Sequence, residues 1–242
     1  MTKRAVILAG GEGSRLRPYT TVLPKPLMPV GDRPILDIIM RQLVASGFDR
    51  VTIATGYLAE LIEVFFGDGA AYGLAIDYHR EHEPLGTVGA LATIEGLRDG
   101  DFLVMNGDVL TDIDYAQLMR WHAESGAAAT IATHRKKVEI TLGVLHFADE
   151  SDATRLTDYS EKPTYDYEVS MGVYCFAPAV LDHIQPNVRL DFPDLMLRLV
   201  DRGHAVRGYR SDDYWLDLGR MEDYQQALDD FTDIQGRLLP NA

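Results

Sequence analysis

Gly10, Gly11 and Gly13 fall in the stretch Leu8-Ala9-Gly10-Gly11-Glu12-Gly13-Ser14-Arg15-Leu16-Arg17-Pro18, and the lysine of Pro24-Lys25-Pro26-Leu27 follows closely. Glycines let backbone N–H groups face an anion without Cβ interference, and the fork of Arg15 can lie against phosphate oxygens. The apolar run Ala5-Val6-Ile7-Leu8 reads as a buried strand, so the loop opens where a strand ends and a phosphate can approach bare backbone. This is a nucleotide-handling loop in outline. It is not a Walker loop, which closes on Gly-Lys-Ser/Thr, nor a full dinucleotide fingerprint, because Leu16 stands where the third glycine belongs. Prolines on both sides of Lys25 stiffen its segment, and a lysine already held loses less freedom on clamping a phosphate.

Carboxylates supply the second chemistry. Asn106-Gly107-Asp108 follows the apolar run Phe102-Leu103-Val104-Met105, which sets Asp108 at a strand's carboxyl end, suited to holding Mg²⁺ against a nucleotide. Asp217 is isolated in the apolar segment Tyr214-Trp215-Leu216-Asp217-Leu218-Gly219, and either a second metal ligand opposite Asp108 or a capped strand end accounts for it. Asp112 and Asp114 read as helix caps before Tyr115. Ser160-Glu161-Lys162-Pro163 offers a lysine for a second phosphate and a carboxylate for sugar hydroxyls, or simply a surface ion pair. Glu83-Pro84-Leu85-Gly86-Thr87-Val88-Gly89 reads as a loop entering a helix, whose backbone can meet a base edge. His79 and His82 lack the partner spacing of a zinc site. Neither Ser14 nor Ser170 has an evident base, so covalent catalysis is not expected, and the single cysteine, Cys175, reads as a small buried hydrophobe.

The elements that must carry these groups alternate. Strands at Ala5–Leu8, Val51–Thr55, Leu74–Tyr78 and Phe102–Asn106 interleave with helices at Ile35–Ser46, Leu58–Phe66 and Thr87–Leu97. That order predicts a mostly parallel sheet with helices on both faces and ligands at the strands' carboxyl ends. Beyond Asp114 a helix at Tyr115–Glu124 precedes strands at Ala128–His134, Leu142–Phe147, Leu156–Ser160 and Val169–Phe176, which suggests an antiparallel or mixed extension. Helices at Pro178–Ile184 and Phe192–Arg202, a strand at Ala205–Tyr209, a helix at Glu222–Phe231 and a polar tail complete the expectation. The 242 residues read as one catalytic domain, with a nucleotide half over 1–114 and a sugar-phosphate half over 115–242 sharing one sheet. No leader precedes the first strand and no apolar run approaches the ~20 residues of a membrane span, so a cytoplasmic protein is expected. A net charge of −14 argues against an extended nucleic-acid surface, while Arg15, Arg17 and Lys25 form a local anion site within an acidic shell.

Taken in order, Gly10 to Pro18, Pro24 to Leu27, Glu83 to Gly89, Asn106 to Asp108, Glu161 to Pro163, Ser170 to Phe176 and Trp215 to Gly219 resemble the sugar-1-phosphate nucleotidyltransferases over almost the whole chain. The resemblance implies an α/β, Rossmann-like nucleotidyltransferase fold and the reaction of an NTP with a sugar 1-phosphate, with Mg²⁺, to give an NDP-sugar and pyrophosphate. It assigns Gly10, Gly11 and Gly13 to the nucleotide, Arg15 to the departing pyrophosphate and Lys25 to the α-phosphate. Asp108 and Asp217 would bind Mg²⁺, and Lys162 the sugar phosphate. Glu161, Gly143 and Ser170 would lie at the sugar, and Glu83, Gly86 and Gly89 near the base. Ser170 stands where many members have asparagine and Arg220 where threonine is frequent, so sugar identity does not carry over. Nothing after Asp217 resembles the hexapeptide β-helix of larger relatives, which reads as a catalytic-only form that leaves room for a homo-oligomer. The Pro84 to Ala90 pattern is nearest the mannose- and heptose-1-phosphate guanylyltransferases, which favours GTP. UTP- or dTTP-dependent relatives and a non-catalytic nucleotide sensor are the alternatives.

Overall fold

A seven-stranded sheet organises the chain, in the computed structural model that describes residues 3–81, 83–148 and 154–239. His82 lies outside the described residues. In chain order the elements are β1 (Arg4–Ala9), β2 (Pro29–Val30), β3 (Arg33–Pro34), α1 (Ile35–Ala45), β4 (Arg50–Thr55), α2 (Ala59–Phe66), β5 (Ala75–Arg80), β6 (Phe102–Asn106) and β7 (Val109–Thr111). They continue with α3 (Tyr115–Ser125), β8 (Ala129–Glu139), β9 (Val144–Phe147), β10 (Leu156–Ser160), β11 (Thr164–Phe176), α4 (Phe192–Asp201), β12 (Val206–Ser211), β13 (Trp215–Asp217) and α5 (Met221–Leu238).

The sheet order is β12-β8-β11-β6-β1-β4-β5, and only β11 runs antiparallel to its neighbours, which makes the sheet mixed and mostly parallel. From β1 the chain passes outward to β4 and β5 on one side, then returns to lay β6 on the other. The crevice at the carboxyl ends of β1 and β6 is therefore the switch point where α/β sheets bind ligands. β6 pairs with β11, so one sheet runs through both halves of the sequence.

The core lies on both faces of the sheet. Ile7, Leu103 and Met105 pack with Ile39 of α1, Leu118 of α3 and Phe231 of α5. On the opposite face Val6, Val104 and Phe176 pack with Phe192 and Leu195 of α4. α3 starts on Asp114, whose carboxylate accepts from the Gln117 amide at 2.9 Å, and stops at Gly126 in the left-handed region. Asp112 does not cap. It lies before that helix as the buried partner of Arg237 on α5.

Three expected helices differ. The one expected at Pro178–Ile184 is a 3-10 helix of six residues, Pro178–His183. The segment expected as a helix at Thr87–Leu97 forms only a 3-10 turn at Gly89–Ala92. Its buried residues Val88, Leu91, Ile94 and Leu97 recur every third position, the period of a 3-10 rather than an α-helix. Thr93 also turns its hydroxyl back onto the Ala90 carbonyl, a competing local bond. The last helix does not give way to a polar tail after Phe231. It runs to Leu238, because Ala227, Phe231, Ile234 and Leu238 continue one buried stripe whose packing outweighs weak helix formers such as Gly236.

Candidate active site

β1 delivers the glycine loop to the switch point. Gly13 has a φ of +61°, and its bare face is filled by Thr20 and Lys25, at 3.0 and 3.2 Å from where a Cβ would stand. A side chain there would meet both strain and collision. The Thr20 hydroxyl donates to the Gly13 carbonyl at 2.8 Å, and buried Leu16 anchors the 3-10 turn Ser14–Leu16, which leaves Arg15 exposed on its outer side. Gly11 has open space around it, as a backbone that must meet a ligand requires. Gly10 is backed by Gly56, whose Cβ would stand 2.8 Å from the Gly10 carbonyl oxygen. Arg17 is committed to Glu12 at 3.3 Å, so of the three basic groups read from the sequence Arg15 and Lys25 belong to the site.

Lys25 is 7% exposed, and its ammonium donates to Asp108 Oδ2 from across the crevice. Asp108 occupies the turn between β6 and β7, where the Gly107 amide donates to the Leu8 carbonyl at 2.9 Å and ties the turn to β1. A cavity of about 220 Å³ opens between them, lined by Gly11, Gly13, Ser14, Arg15, Lys25 and Asp108 among others. Asp217 comes from β13, which pairs antiparallel with β7, and the Leu218 amide donates to the Asp108 carbonyl at 3.1 Å. A Cβ on Gly219 would stand 3.3 Å from Asp217 Oδ1 and 3.4 Å from the Arg15 guanidinium, so the absent side chain lets Arg15 approach the acidic pair.

Partial desolvation and the charge of Asp108 push the Asp217 carboxyl above its ordinary value, while Lys25 and Arg15 act in the opposite direction. The two carboxylates, one from the turn after β6 and one from β13, form a donor set suited to Mg²⁺, which takes one or two carboxylates and completes its shell with water and phosphate. Asp108 and Asp217 are the residues that would hold it.

Of the residues expected at the sugar, the structure brings Gly143 and Glu161 together. The bare face of Gly143 is taken by the Tyr159 phenol and Glu161 Oε2, and Tyr159 donates to that oxygen at 3.1 Å. Lys162 has a φ of +46°, an uncommon conformation for a lysine, and makes no ion pair among the described residues. Ser170 is engaged differently. Its hydroxyl donates to the Tyr174 phenol at 2.9 Å and accepts from the Gly172 amide at 3.3 Å, bracing the irregularity in β11.

The base-side expectation divides. Glu83 is exposed, whereas Glu81, the first residue after β5, accepts from the Leu85 amide at 3.1 Å. Glu81 Oε1 also lies 3.7 Å from where a Gly10 Cβ would stand. Glu81 is not among the residues singled out in the sequence, although its place at a strand's carboxyl end beside the glycine loop is a signal the sequence carries. Gly86 and Gly89 present their bare faces to the chain's own backbone at Leu190 and Val188, and Thr87 to Asp191. His79 meets Thr93 at 3.2 Å, with no metal-like grouping of three ligands among the described residues. A larger cavity of about 730 Å³ lies at the opposite, amino-terminal end of the strands, where Lys3, Arg50, Asp99 and Asp101 mix charges and none of these groups reaches.

The family model described as Nucleotidyl transferase matches residues 4–234. UTP–glucose-1-phosphate uridylyltransferase of Synechocystis sp. is 34% identical over 244 residues, covering 93% of this chain and 62% of that protein. Mannose-1-phosphate guanylyltransferase of Mycobacterium tuberculosis is 35% identical over 234 residues, covering 94% of this chain and 64% of that protein. The chain thus spans less than two thirds of the length of these curated relatives. Among solved structures, HddC from Yersinia pseudotuberculosis complexed with GMP-PN has a TM-score of 0.71 at 24% identity, covering 95% of this chain and 100% of that one. UDP-glucose pyrophosphorylase complexed with UDP-glucose has a TM-score of 0.71 at 20% identity, covering 96% and 99%. At these identities the likeness of the structures is one of fold.

Proposed function

We propose, from the premise that this chain belongs to the nucleotidyl transferase family, that it transfers a nucleotidyl group from an NTP to a sugar 1-phosphate and releases pyrophosphate. The observation that carries the reading is the meeting of Arg15, Lys25, Asp108 and Asp217 around one crevice at the carboxyl ends of β1 and β6. Among the described residues nothing there is arranged as a nucleophile with its base, and we take the attacking atom to be a phosphate oxygen of the sugar phosphate. It forms a bond to the α-phosphorus as the bond to the bridging oxygen breaks and pyrophosphate leaves.

The protein's work is then alignment and charge neutralisation. Gly10, Gly11 and Gly13 support the triphosphate, Arg15 meets charge growing on the leaving pyrophosphate, and Lys25 steadies the α-phosphate while Asp108 fixes its ammonium. Lys162 holds the sugar phosphate, and Glu161, Gly143 and Ser170 form the sugar side. Asp108 and Asp217 would hold Mg²⁺, which when bound would supply Lewis-acid neutralisation of the phosphates. A sensor that had given up catalysis would have no need of this full set of charges.

GTP is the favoured nucleotide. A carboxylate only accepts, and guanine offers two adjacent N–H donors, which suits Glu81 better than the single donor of uracil or thymine. UTP or dTTP is the second reading, supported by the 34% identity to a uridylyltransferase. Glu83, Gly86 and Gly89 then act by shaping the loop that carries the base side. Among the described residues no helix is long and apolar enough to cross a membrane, and we assign the reaction to the cytoplasm, where its substrates are. The test is pyrophosphate release with Mg²⁺ over a matrix of GTP, UTP, dTTP, ATP and CTP against mannose, glucose and heptose 1-phosphates. Turnover with one pair supports the reading, and none with any pair overturns it.

A further inference from the structure

Tyr159 stands two residues before Glu161 on the β9–β10 hairpin, with 55% of its surface exposed. Core packing does not call for a phenol at such a position. Its hydroxyl nevertheless donates to Glu161 Oε2 at 3.1 Å, and it does so across the bare face of Gly143. Any Cβ on Gly143 would overlap the phenol and stand 3.2 Å from the same carboxylate oxygen. The three groups are brought together by the pairing of Leu145 with Tyr159 and Val144 with Ser160.

We propose that Tyr159 is a positioning residue, which fixes the Glu161 carboxylate for the sugar hydroxyls, and that Gly143 is bare in order to admit its phenol. The inference rests on the proposed place of Glu161 at the sugar. A glutamate on an exposed hairpin samples several rotamers, and ordering it at each binding event weakens binding. The phenol holds one carboxylate oxygen beforehand and leaves the other oxygen, with its lone pairs, to accept from the sugar. Tyr159 touches no reacting atom, so its removal acts on sugar binding and spares the chemical step.

The test is Tyr159→Phe, which keeps the ring on the hairpin and deletes only the donor, alongside Glu161→Ala and the double variant. KM for the sugar 1-phosphate and for the NTP is measured with the best pair from the substrate matrix, and binding of mannose 1-phosphate and glucose 1-phosphate by calorimetry. Tyr159→Phe is expected to raise KM and Kd for the sugar phosphate about three- to tenfold, the scale of one ordinary hydrogen bond at a solvent-exposed position. Values of kcat and KM for the NTP are expected to stay within about twofold of the parent, as for a loss confined to ground-state binding. In the Glu161→Ala background the same substitution is expected to add nothing. Gly143→Ala, which drives a methyl into the phenol, is expected to reproduce the Tyr159→Phe effect. If Glu161→Ala weakens sugar binding and Tyr159→Phe does not, the positioning role is wrong. If Glu161→Ala leaves sugar binding unchanged, the place of Glu161 at the sugar falls, and the positioning role with it. An undiminished effect of Tyr159→Phe in the double variant also overturns the proposal, since the phenol would then act through another group.

Discussion

Replacing Asp108 by asparagine removes one negative charge from the crevice while leaving an oxygen where the Lys25 ammonium donates. Lys25 is 7% exposed and the Asp108 side chain 27%, so the pair is shielded enough for the lost charge to matter. Because the amide carbonyl still accepts, the cost to stability is the difference between a charge-assisted and a neutral hydrogen bond, about 1–2 kcal/mol. For a chain of this size that lowers Tm by about 2–8 °C. The cost to catalysis is larger. Losing one preorganised charge-stabilising group removes about 10²–10³ from kcat, or about 2.7–4 kcal/mol of transition-state stabilisation. Asp217 is then the only carboxylate at the metal position, and half-saturation by Mg²⁺ moves to higher concentration. Pyrophosphate release at saturating substrates across an Mg²⁺ titration reads the catalytic effect, and a thermal melt followed by circular dichroism reads the structural one. Turnover within tenfold of the parent at equal Mg²⁺ would refute the role given to Asp108, and loss of the fold would refute the argument that the amide keeps Lys25 satisfied.

Arg15→Ala is expected to lower kcat by about 10²–10³ with the fold intact, and near-parental turnover would remove it from the leaving-group position. Asp217 has a raised carboxyl pKa, so the folded chain takes its proton more readily than the unfolded one. That contribution to stability is complete below the ordinary value of 3.8 and is lost as pH rises through the folded value. Asp217→Asn should therefore flatten Tm against pH over this window and melt above the parent at neutral pH without Mg²⁺. It should also lose the Mg²⁺-dependent rise in Tm; an equal rise in both proteins would argue against a metal site at Asp217. Glu81→Gln is expected to reduce kcat/KM for GTP by about ten- to a hundredfold, measured against Glu83→Gln, which should stay near the parent. The opposite order would return the base to Glu83. Gly31 has a φ of +63°, and a Cβ on it would overlap the Phe231 ring. Gly31→Ala is expected to cost about 2–4 kcal/mol in denaturant unfolding, from left-handed strain plus overpacking, and a loss below half of that would show that α5 can shift to accommodate the methyl.

Strands β1 and β6 are legible in the sequence because each carries an apolar run, Ala5 to Ala9 and Phe102 to Met105, with a glycine within two residues of its end, the pattern of a central strand meeting a ligand loop. The crevice residues Arg15, Lys25, Asp108 and Asp217 follow from that pattern and from the family resemblance, and the structure gathers them. What the sequence hides is what long-range pairing creates. The two short strands β7 and β13 exist only because they meet, and three residues apiece carry no period of their own. Local composition does not distinguish Glu81 from Glu83, because the distinction depends on where β5 stops, and strand ends are set by register with β4. The extension of α5 is visible in the spacing of Ala227, Phe231, Ile234 and Leu238, but polar residues between them obscure it until the hairpin of β2 and β3 is known to lie beneath.

The backbone bond from the Leu218 amide to the Asp108 carbonyl has an evolutionary reading. It sets the spacing of the two acidic residues by main-chain register, which is indifferent to most substitutions nearby. Glu81 and Glu161, which we propose to meet the base and the sugar, stand instead outside the seven-stranded sheet, on a loop and at the end of a peripheral hairpin. Such a partition separates what must stay fixed for phosphoryl chemistry from what can drift, so new bases and new sugars can be tried without disturbing the reaction itself.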